Sequence, residues 1–260
     1  MALVELDVTG PVATIRLNRP EKRNALSRAV QEALQEQLDA LRGHEPVRAL
    51  VLTGNGPVFS AGADLSELRD EQEDGPEAHV ESARRLARLL KTIYRYPKAV
   101  IAKVNGHALG GGCGLAVACD FVLAADTASL GFTEVRIGFV PAVVSVFLRR
   151  KVPENVARNV LLRGIHVSAP RASEQGLIHR AVPEEELDQE VAGLAEEISR
   201  ETGPSAVAWT KGLLADLAGM GLEEGLEHAV QINALARQSE EFESGVAAFF
   251  DDRDPPWKSP

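Results

Sequence analysis

Residues 106–120, GHALGGGCGLAVACD, join a run of glycines to an apolar segment of helical character. Glycine costs backbone entropy, so its repetition indicates either unusual dihedral angles or close approach to the main chain. The segment before it, AVIAKV (residues 99–104), has the composition of a buried strand. The stretch therefore predicts a strand that turns through glycine into a helix whose first N–H groups are free.

Three roles are considered for this glycine-rich stretch. A nucleotide loop is disfavoured, because neither G-x-x-x-x-G-K-[ST] nor G-x-G-x-x-G is present. Tight packing of a helix on a sheet is the second, although it rarely needs three consecutive glycines. The third is a helix N-terminus whose amides stabilise negative charge on a substrate oxygen. It requires a second donor, and GPVFSAGADLSEL (residues 56–68) has the same strand-to-helix form.

Strand and helix patterns alternate from the N-terminus to about residue 190, which favours an α/β architecture with mainly parallel pairing. Ser27 is predicted to open a helix that ends at Gly43. From Pro183 to Phe250 the segments are all predicted to be helices, and the tail DDRDPPWKSP (residues 251–260) is predicted to be loose.

Composition limits the partners. The net charge of −10 over 260 residues argues against a nucleic-acid partner. The sequence shows no uninterrupted apolar run of about 18 residues and no signal-peptide pattern at its start, so we expect no membrane partner and a cytoplasmic location. Cys113 and Cys119 are expected to be small buried residues rather than metal ligands or a disulfide.

Four segments then point to one family. They are LNRPEKRNALS (17–27), VLTGNGPVFSAGADLSEL (51–68), VNGHALGGGCGLAVACDFVLAADTASLGFTEVRIGFVPA (104–142) and SAPRASEQGLIHRAVP (168–183). In the order and spacing of these segments, the chain resembles the enoyl-CoA hydratase/isomerase (crotonase) family over about residues 5–250. The GGGCGL and TEVRIGFVPAVVSVFLRR segments look closest to a bacterial branch that includes hydratases of 3-methylglutaconyl-CoA type.

The resemblance implies a crotonase (ClpP-like) fold, a spiral of ββα units. Residues 1–195 would form this core with an acyl-CoA site, and residues 196–260 a helical region that builds homotrimers, often paired as hexamers. It implies no metal and no redox cofactor, since CoA arrives as part of the substrate.

The resemblance also assigns roles to residues. The N–H groups of Ala63 and Gly111 would form an oxyanion hole around the thioester carbonyl, with Glu134 as the catalytic carboxylate. Together with Gly111, residues Ala63, Asp64, Leu65 and Ser66 would line the CoA path, although a lysine common in the family at the position of Ser66 is missing.

Gly114 is a departure from the family, whose hydratases carry a first glutamate at this position. With one carboxylate left, the favoured reaction is hydration of a 2-enoyl-CoA, the alternative is isomerisation of a 3-enoyl-CoA, and a third reading is a catalytically weak acyl-CoA-binding subunit. Glu67 and Asp70 are reserve candidates for the missing acid, although both are better read as exposed helix charges.

Further residues near these motifs receive expectations of their own. The apolar PAVVSVF segment should reshape the acyl pocket near Val143 and Val144. If the substrate carries a distal carboxylate, Arg136, Arg149 or Arg150 is expected to meet it. His107 and Asp120 are expected to be structural.

Overall fold

The computed structural model describes residues 2–258. The strands are β1 Val4–Thr9, β2 Val12–Leu17, β3 Ala49–Gly54, β4 Val58–Ser60, β5 Ala99–Val104, β6 His107–Leu109, β7 Phe121–Ala125, β8 Ser129–Gly131, β9 His166–Ser168 and β10 Arg180–Val182. The helices are α1 Arg28–Arg42, α2 Leu65–Asp70, α3 Pro76–Tyr94, α4 Gly111–Ala118, α5 Ala142–Lys151, α6 Glu154–Arg163, α7 Ala169–Glu174, α8 Leu187–Glu201, α9 Pro204–Leu217, α10 Leu222–Ala236 and α11 Glu240–Phe250.

The strands form two sheets. The larger has the order β1-β2-β3-β5-β7-β10, antiparallel between β1 and β2 and parallel elsewhere. The smaller has the order β4-β6-β8-β9, with β9 antiparallel to β8. Three times, a strand of the larger sheet is followed by one of the smaller sheet and then by a helix. This confirms the predicted α/β class and the ββα unit of the crotonase fold.

The sequence signals of α1 correspond to contacts in the structure. The Ser27 hydroxyl caps the helix by accepting a hydrogen bond from the Val30 N–H at 3.3 Å. Val30, Leu34 and Leu38 are buried on one face, as their helical spacing predicts. By contrast, β4 and β6 were not predicted, because three residues are too short to show a strand period.

The C-terminal helices begin as part of the core. α8 lies on β3, β5 and β7 with Val191 and Ala195 buried, so the predicted division after residue 195 falls inside this helix. Beyond it, α9 to α11 expose large apolar side chains. These are Leu214, Leu222, Leu226, Val230, Leu235, Phe242, Val246, Phe249 and Phe250.

The tail is ordered as far as Lys258, so the prediction of a loose tail is wrong for residues 251–258. The ring of Trp257 packs so closely on α11 that a Cβ on Gly245 would lie 2.7 Å from it. Lys258 Nζ lies 2.6 Å from Glu201 Oε2 at the end of α8. Residues 259 and 260 lie outside the described residues. No helix within residues 2–258 combines the length and apolarity needed to cross a bilayer.

A buried ion pair holds α9 to the core. Lys211 Nζ lies 2.6 Å from Asp120 Oδ2 and donates to the Lys98 carbonyl at 3.2 Å. The same carboxylate oxygen accepts from the Val100 N–H at 2.8 Å. Asp120 therefore joins the end of α4, the start of β5 and α9, which confirms its expected structural role.

We expect Lys211→Met to lower the free energy of unfolding by about 3 kcal/mol, because it leaves the Asp120 carboxylate buried without its cation. Urea denaturation measures the loss. The control is Asp188→Asn, which breaks an ion pair between Lys103 and a carboxylate that is 84% exposed, and should cost less than about 1 kcal/mol. Equal losses in the two variants would contradict the structural role of Lys211.

Candidate active site

The site lies where two strands of the smaller sheet end. β4 and β6 are parallel neighbours, with Ser60 opposite Ala108, so the turns that follow them meet at one edge of the sheet. The contact is close: a Cβ on Gly62 would lie 2.6 Å from the Leu109 carbonyl oxygen and 3.0 Å from the Gly111 nitrogen. Strand pairing therefore brings the two glycine-containing segments together.

Two backbone amides face this junction without partners. Neither the Ala63 N–H nor the Gly111 N–H donates a hydrogen bond to another group of residues 2–258. Gly111 is the first residue of α4, where N–H groups have no intrahelical acceptor and the helix dipole is positive. A Cβ on Gly111 would lie 3.7 Å from the Ala63 nitrogen. Two adjacent free donors of this kind suit an oxygen that gains negative charge.

The glycines of the run differ in what requires them. Gly110 adopts a φ of +51°, a conformation that side chains disfavour. A Cβ on Gly112 would lie 2.5 Å from the Ser60 carbonyl oxygen, so close packing on β4 requires glycine there. A Cβ on Gly111 would meet its neighbours at ordinary van der Waals distances, the nearest being 3.6 Å to Leu26 Cδ1. A methyl group would therefore fit at Gly111, so packing among the described residues does not by itself require glycine there.

Glu134 brings a carboxylate to the same junction. It begins the 3₁₀ turn Glu134–Ile137 after β8, and a Cβ on Gly110 would lie 3.2 Å from its Oε1. Its Oε2 is buried with no hydrogen-bond partner among the described residues. This burial raises the pKa of Glu134 above the usual value for a glutamate. A raised pKa and an unpartnered oxygen are properties of a general base rather than of a structural carboxylate.

Asp64, predicted to line the CoA path, has a carboxylate that is already engaged. It caps α2 by accepting from the Ser66 and Glu67 N–H groups and lies 2.6 Å from Arg19 Nη1. The bond to Arg19 lowers the pKa of Asp64, so the group is an anion committed to structure. Leu65 and Ser66 lie exposed on the first turn of α2. Their contact with CoA, like that of Ala63 and Gly111, stays a prediction.

The two reserve acids are bound elsewhere. The Glu67 carboxylate accepts the Arg28 N–H at 2.8 Å, at the start of α1. Asp70 pairs with its exposed neighbour Arg69. Neither contributes to the pKa shift of Glu134. Both therefore match the expectation of helix charges, and neither supplies a second acid.

The three candidate arginines differ in their contacts. Arg149 lies 2.9 Å from the Glu154 carboxylate, and Arg150 donates to the Val146 carbonyl of its own helix at 2.7 Å. Arg136 is exposed two residues after Glu134, with its stem against Gly164. Among the described residues Arg136 has no ion-pair partner, so it is the candidate that keeps a free guanidinium.

The expected structural role of His107 and the expected burial of the two cysteines are confirmed. His107 has a structural role, since its Nδ1 accepts the Ser129 N–H at 3.1 Å and joins β6 to β8. Cys113 and Cys119 are buried free thiols, and burial raises the pKa of Cys119 to about 12. Residues 2–258 contain no group of three or more His, Cys, Asp or Glu side chains placed to hold a metal ion.

Sequence reasoning missed the residues that support the first turn. Asn24 is fully buried with a φ of +53°, and its side chain donates to the carbonyls of Asn55 and Val58 on either side of the turn before β4. Arg19 donates through its backbone N–H toward an oxygen of the Asn24 side chain and pairs with Asp64. Asparagine is one of the few residues that adopts positive φ, so the Arg-Asn step in LNRPEKRNALS was the available signal.

The chain is similar to known proteins in both sequence and structure. The family model described as enoyl-CoA hydratase/isomerase matches residues 7–260. A Thermus thermophilus protein named as a candidate enoyl-CoA hydratase is 45% identical over 246 residues, which cover 95% of this chain and 97% of that protein. The 2,3-dehydroadipyl-CoA hydratase of Escherichia coli is 32% identical over 248 residues, covering 95% of each. An enoyl-CoA hydratase crystal structure from Mycobacterium smegmatis superposes with a TM-score of 0.92 at 32% identity, covering 99% of both chains.

The glycine run allows a test by stability. We expect Gly111→Ala to leave the free energy of unfolding within about 1 kcal/mol of the wild type, since the new methyl meets only ordinary contacts and alanine favours helix. Gly112→Ala should lower it by about 2 kcal/mol, because its methyl collides with the β4 backbone. Thermal and urea unfolding compare the two variants. The same loss for both variants would contradict the assignment of close packing to Gly112 alone.

Proposed function

The chain belongs to the enoyl-CoA hydratase/isomerase family, and from that membership we propose that this enzyme adds water to the double bond of a 2-enoyl-CoA. In the proposed reaction the thioester carbonyl oxygen accepts hydrogen bonds from the Ala63 and Gly111 N–H groups. The proposal is supported above all by the Glu134 carboxylate, which lies against Gly110 beside these two free amides.

The proposed steps use one carboxylate. Glu134 takes a proton from water as the water oxygen bonds to C3, and the electron pair of the double bond moves to the thioester oxygen. The two amides stabilise this enolate, because donors that are already in place need no reorganisation when the charge develops. The Glu134 carboxyl then returns a proton to C2, which completes the addition and restores the carboxylate.

The alternative reaction also has an observation in its favour. Moving a proton from C2 to C4 of a 3-enoyl-CoA needs one carboxylate and no water, and Gly114 leaves Glu134 without a second acid from α4. In the third alternative the protein is an acyl-CoA-binding subunit without turnover. The same two amides would then bind the thioester, and Glu134 would have no role. Hydration remains our proposal, in line with the hydratase names of the relatives.

The substrate class is narrower if Arg136 takes part. The E. coli relative is named for a dehydroadipyl-CoA, and we propose that a distal carboxylate on the acyl chain would meet Arg136, whose guanidinium is free among the described residues. Equal turnover of carboxylated and plain 2-enoyl-CoAs would contradict this part of the proposal.

The activity test follows the absorbance of the conjugated thioester. We expect a 2-enoyl-CoA to lose absorbance and Glu134→Gln to slow this by about 10²-fold or more, since a positioned base is removed. The control Glu67→Gln makes the same chemical change at a carboxylate bound to α1 and should retain the rate. A gain of absorbance from a 3-enoyl-CoA without hydration would favour the isomerase, and binding without any turnover the third reading.

The pH dependence has a defined sign. The raised pKa of Glu134 means that the ionised carboxylate is disfavoured in the folded protein, so this group costs stability as pH rises from about 4.3 through its folded value. Glu134→Gln should therefore be at least as stable as the wild type at pH 7 and no different below about pH 4. The hydration rate should rise over the same interval as the base ionises.

We further propose that the chain assembles as a homotrimer or a dimer of trimers. The proposal is supported by the large apolar side chains exposed on α9 to α11, because exposed apolar patches mark sites of protein–protein interaction. Leu226 and Val230 lie four residues apart on one face of α10 and are 54% and 62% exposed. Such a face gains stability when a second copy covers it.

Light scattering after size exclusion tests this assembly. We expect a mass of three or six chains for the wild type, and a smaller mass for Leu226→Asp/Val230→Asp, because burying two carboxylates is costly. Leu162→Asp is the control, since Leu162 is 70% exposed on α6, away from these helices. A wild-type mass of one chain would contradict the proposal.

A further inference from the structure

Gly114 lies on the side of α4 that faces the reacting groups. Its N–H donates to the carbonyl of the N-cap residue Gly110 at 3.0 Å, so residue 114 lies one turn into the helix. The Glu134 carboxylate lies against Gly110, at the N-terminal end of α4. Side chains lean toward the N-terminus of their helix, so a long side chain at residue 114 would extend toward the end of α4 where Glu134 lies.

The space for such a side chain is occupied by Val144 of α5. A Cβ on Gly114 would lie 2.2 Å from Val144 Cγ1 and 3.0 Å from Val144 Cβ. Val144 is 2% exposed, and a β-branched side chain in a helix has essentially one rotamer. It therefore has nowhere to move, whereas the next neighbour, Leu90, stays at an ordinary 3.6 Å.

The surroundings of Glu134 agree with this packing. Among the described residues no charged side chain contributes to the pKa of Glu134, which is raised mainly by burial. The nearby face of α4 presents Gly110 and Gly114, and Val144 closes it with methyl groups. The reacting face thus holds one carboxylate beside an apolar wall, and the other titratable group near Glu134 is the Cys113 thiol, whose pKa burial raises.

We propose that Val144 is a specificity-determining residue, which excludes a second carboxylate from position 114 and so leaves every proton transfer to Glu134. This deepens the proposed function and rests on it. With Val144 in place, no carboxylate at position 114 can hold the attacking water or return a separate proton to C2. The same carboxylate must then do both, as it also would in moving a proton from C2 to C4.

The steric exclusion is tested by the effect of Gly114→Ala on Tm, which should change sign when Val144 is removed. Gly114→Ala should lower the Tm by roughly 2–10 °C in the wild type, where its methyl meets Val144. In a Val144→Gly background the same change should raise the Tm by about 2 °C, because alanine replaces glycine inside a helix. Val144→Ala offers a milder background if Val144→Gly folds poorly. Equal losses in both backgrounds would overturn the exclusion.

A matched control distinguishes the room opened beside residue 114 from the general effect of placing a glycine in α5. Val146→Gly makes the same substitution on α5 at a position that is 48% exposed and opens no room beside residue 114. Gly114→Ala should remain as destabilising in this background as in the wild type. A reversal of sign here as well would overturn the assignment to Val144.

The role of Val144 in reaction specificity is tested by comparing the rates of hydration and isomerisation. Relative to Val144→Gly, the double variant Gly114→Glu/Val144→Gly should raise the ratio of 2-enoyl-CoA hydration to 3-enoyl-CoA isomerisation by about 10-fold or more, as a second positioned acid or base enters the site. An unchanged ratio in a folded double variant would overturn the role of Val144 in specificity. Absence of any turnover in the wild type, with the Tm reversal intact, would instead contradict the proposed function and leave the exclusion supported.

Discussion

The parallel pairing of β4 with β6 is the constraint on which the rest of the site depends. It places the turns after these strands side by side, so that Gly62 approaches the Gly111 nitrogen and the free amides of Ala63 and Gly111 become neighbours. The Gly111 amide is unremarkable in isolation, since the first turn of any helix has unpaired N–H groups, and the Ala63 amide lies just before Asp64, the N-cap of α2. Their adjacency is what makes them suited to one oxygen, and it comes from strand register rather than from either turn.

Two carboxylates near this junction differ because their surroundings differ. Asp64 is paired with Arg19 and accepts two helix N–H groups, which lowers its pKa and uses its oxygens for structure. Burial raises the pKa of Glu134, and its Oε2 has no partner among the described residues. The contrast gives Asp64 a structural role and makes Glu134 the candidate for the reactive carboxylate.

The C-terminal helices combine a polar attachment with apolar exposure. Lys211 fixes α9 to the core through Asp120, which itself follows α4, the helix that carries Gly111. The outer faces of α10 and α11 meanwhile leave large apolar side chains uncovered.

Local pattern was enough for much of this protein. The sequence by itself determined the α/β class, the capped helix from Ser27 and the helical C-terminal quarter, because capping and periodicity are properties of neighbouring residues. Glu134 as the candidate base came from the resemblance of the chain to the enoyl-CoA hydratase/isomerase family. The tertiary structure decided what depends on distant contacts: the second sheet with its three-residue strands, the ordered tail at Trp257, the commitment of Asp64 to Arg19, and the filling of the space beside Gly114 by Val144. Residues 114 and 144 are 30 positions apart, and their contact exists only because α4 and α5 pack together, which no local pattern encodes.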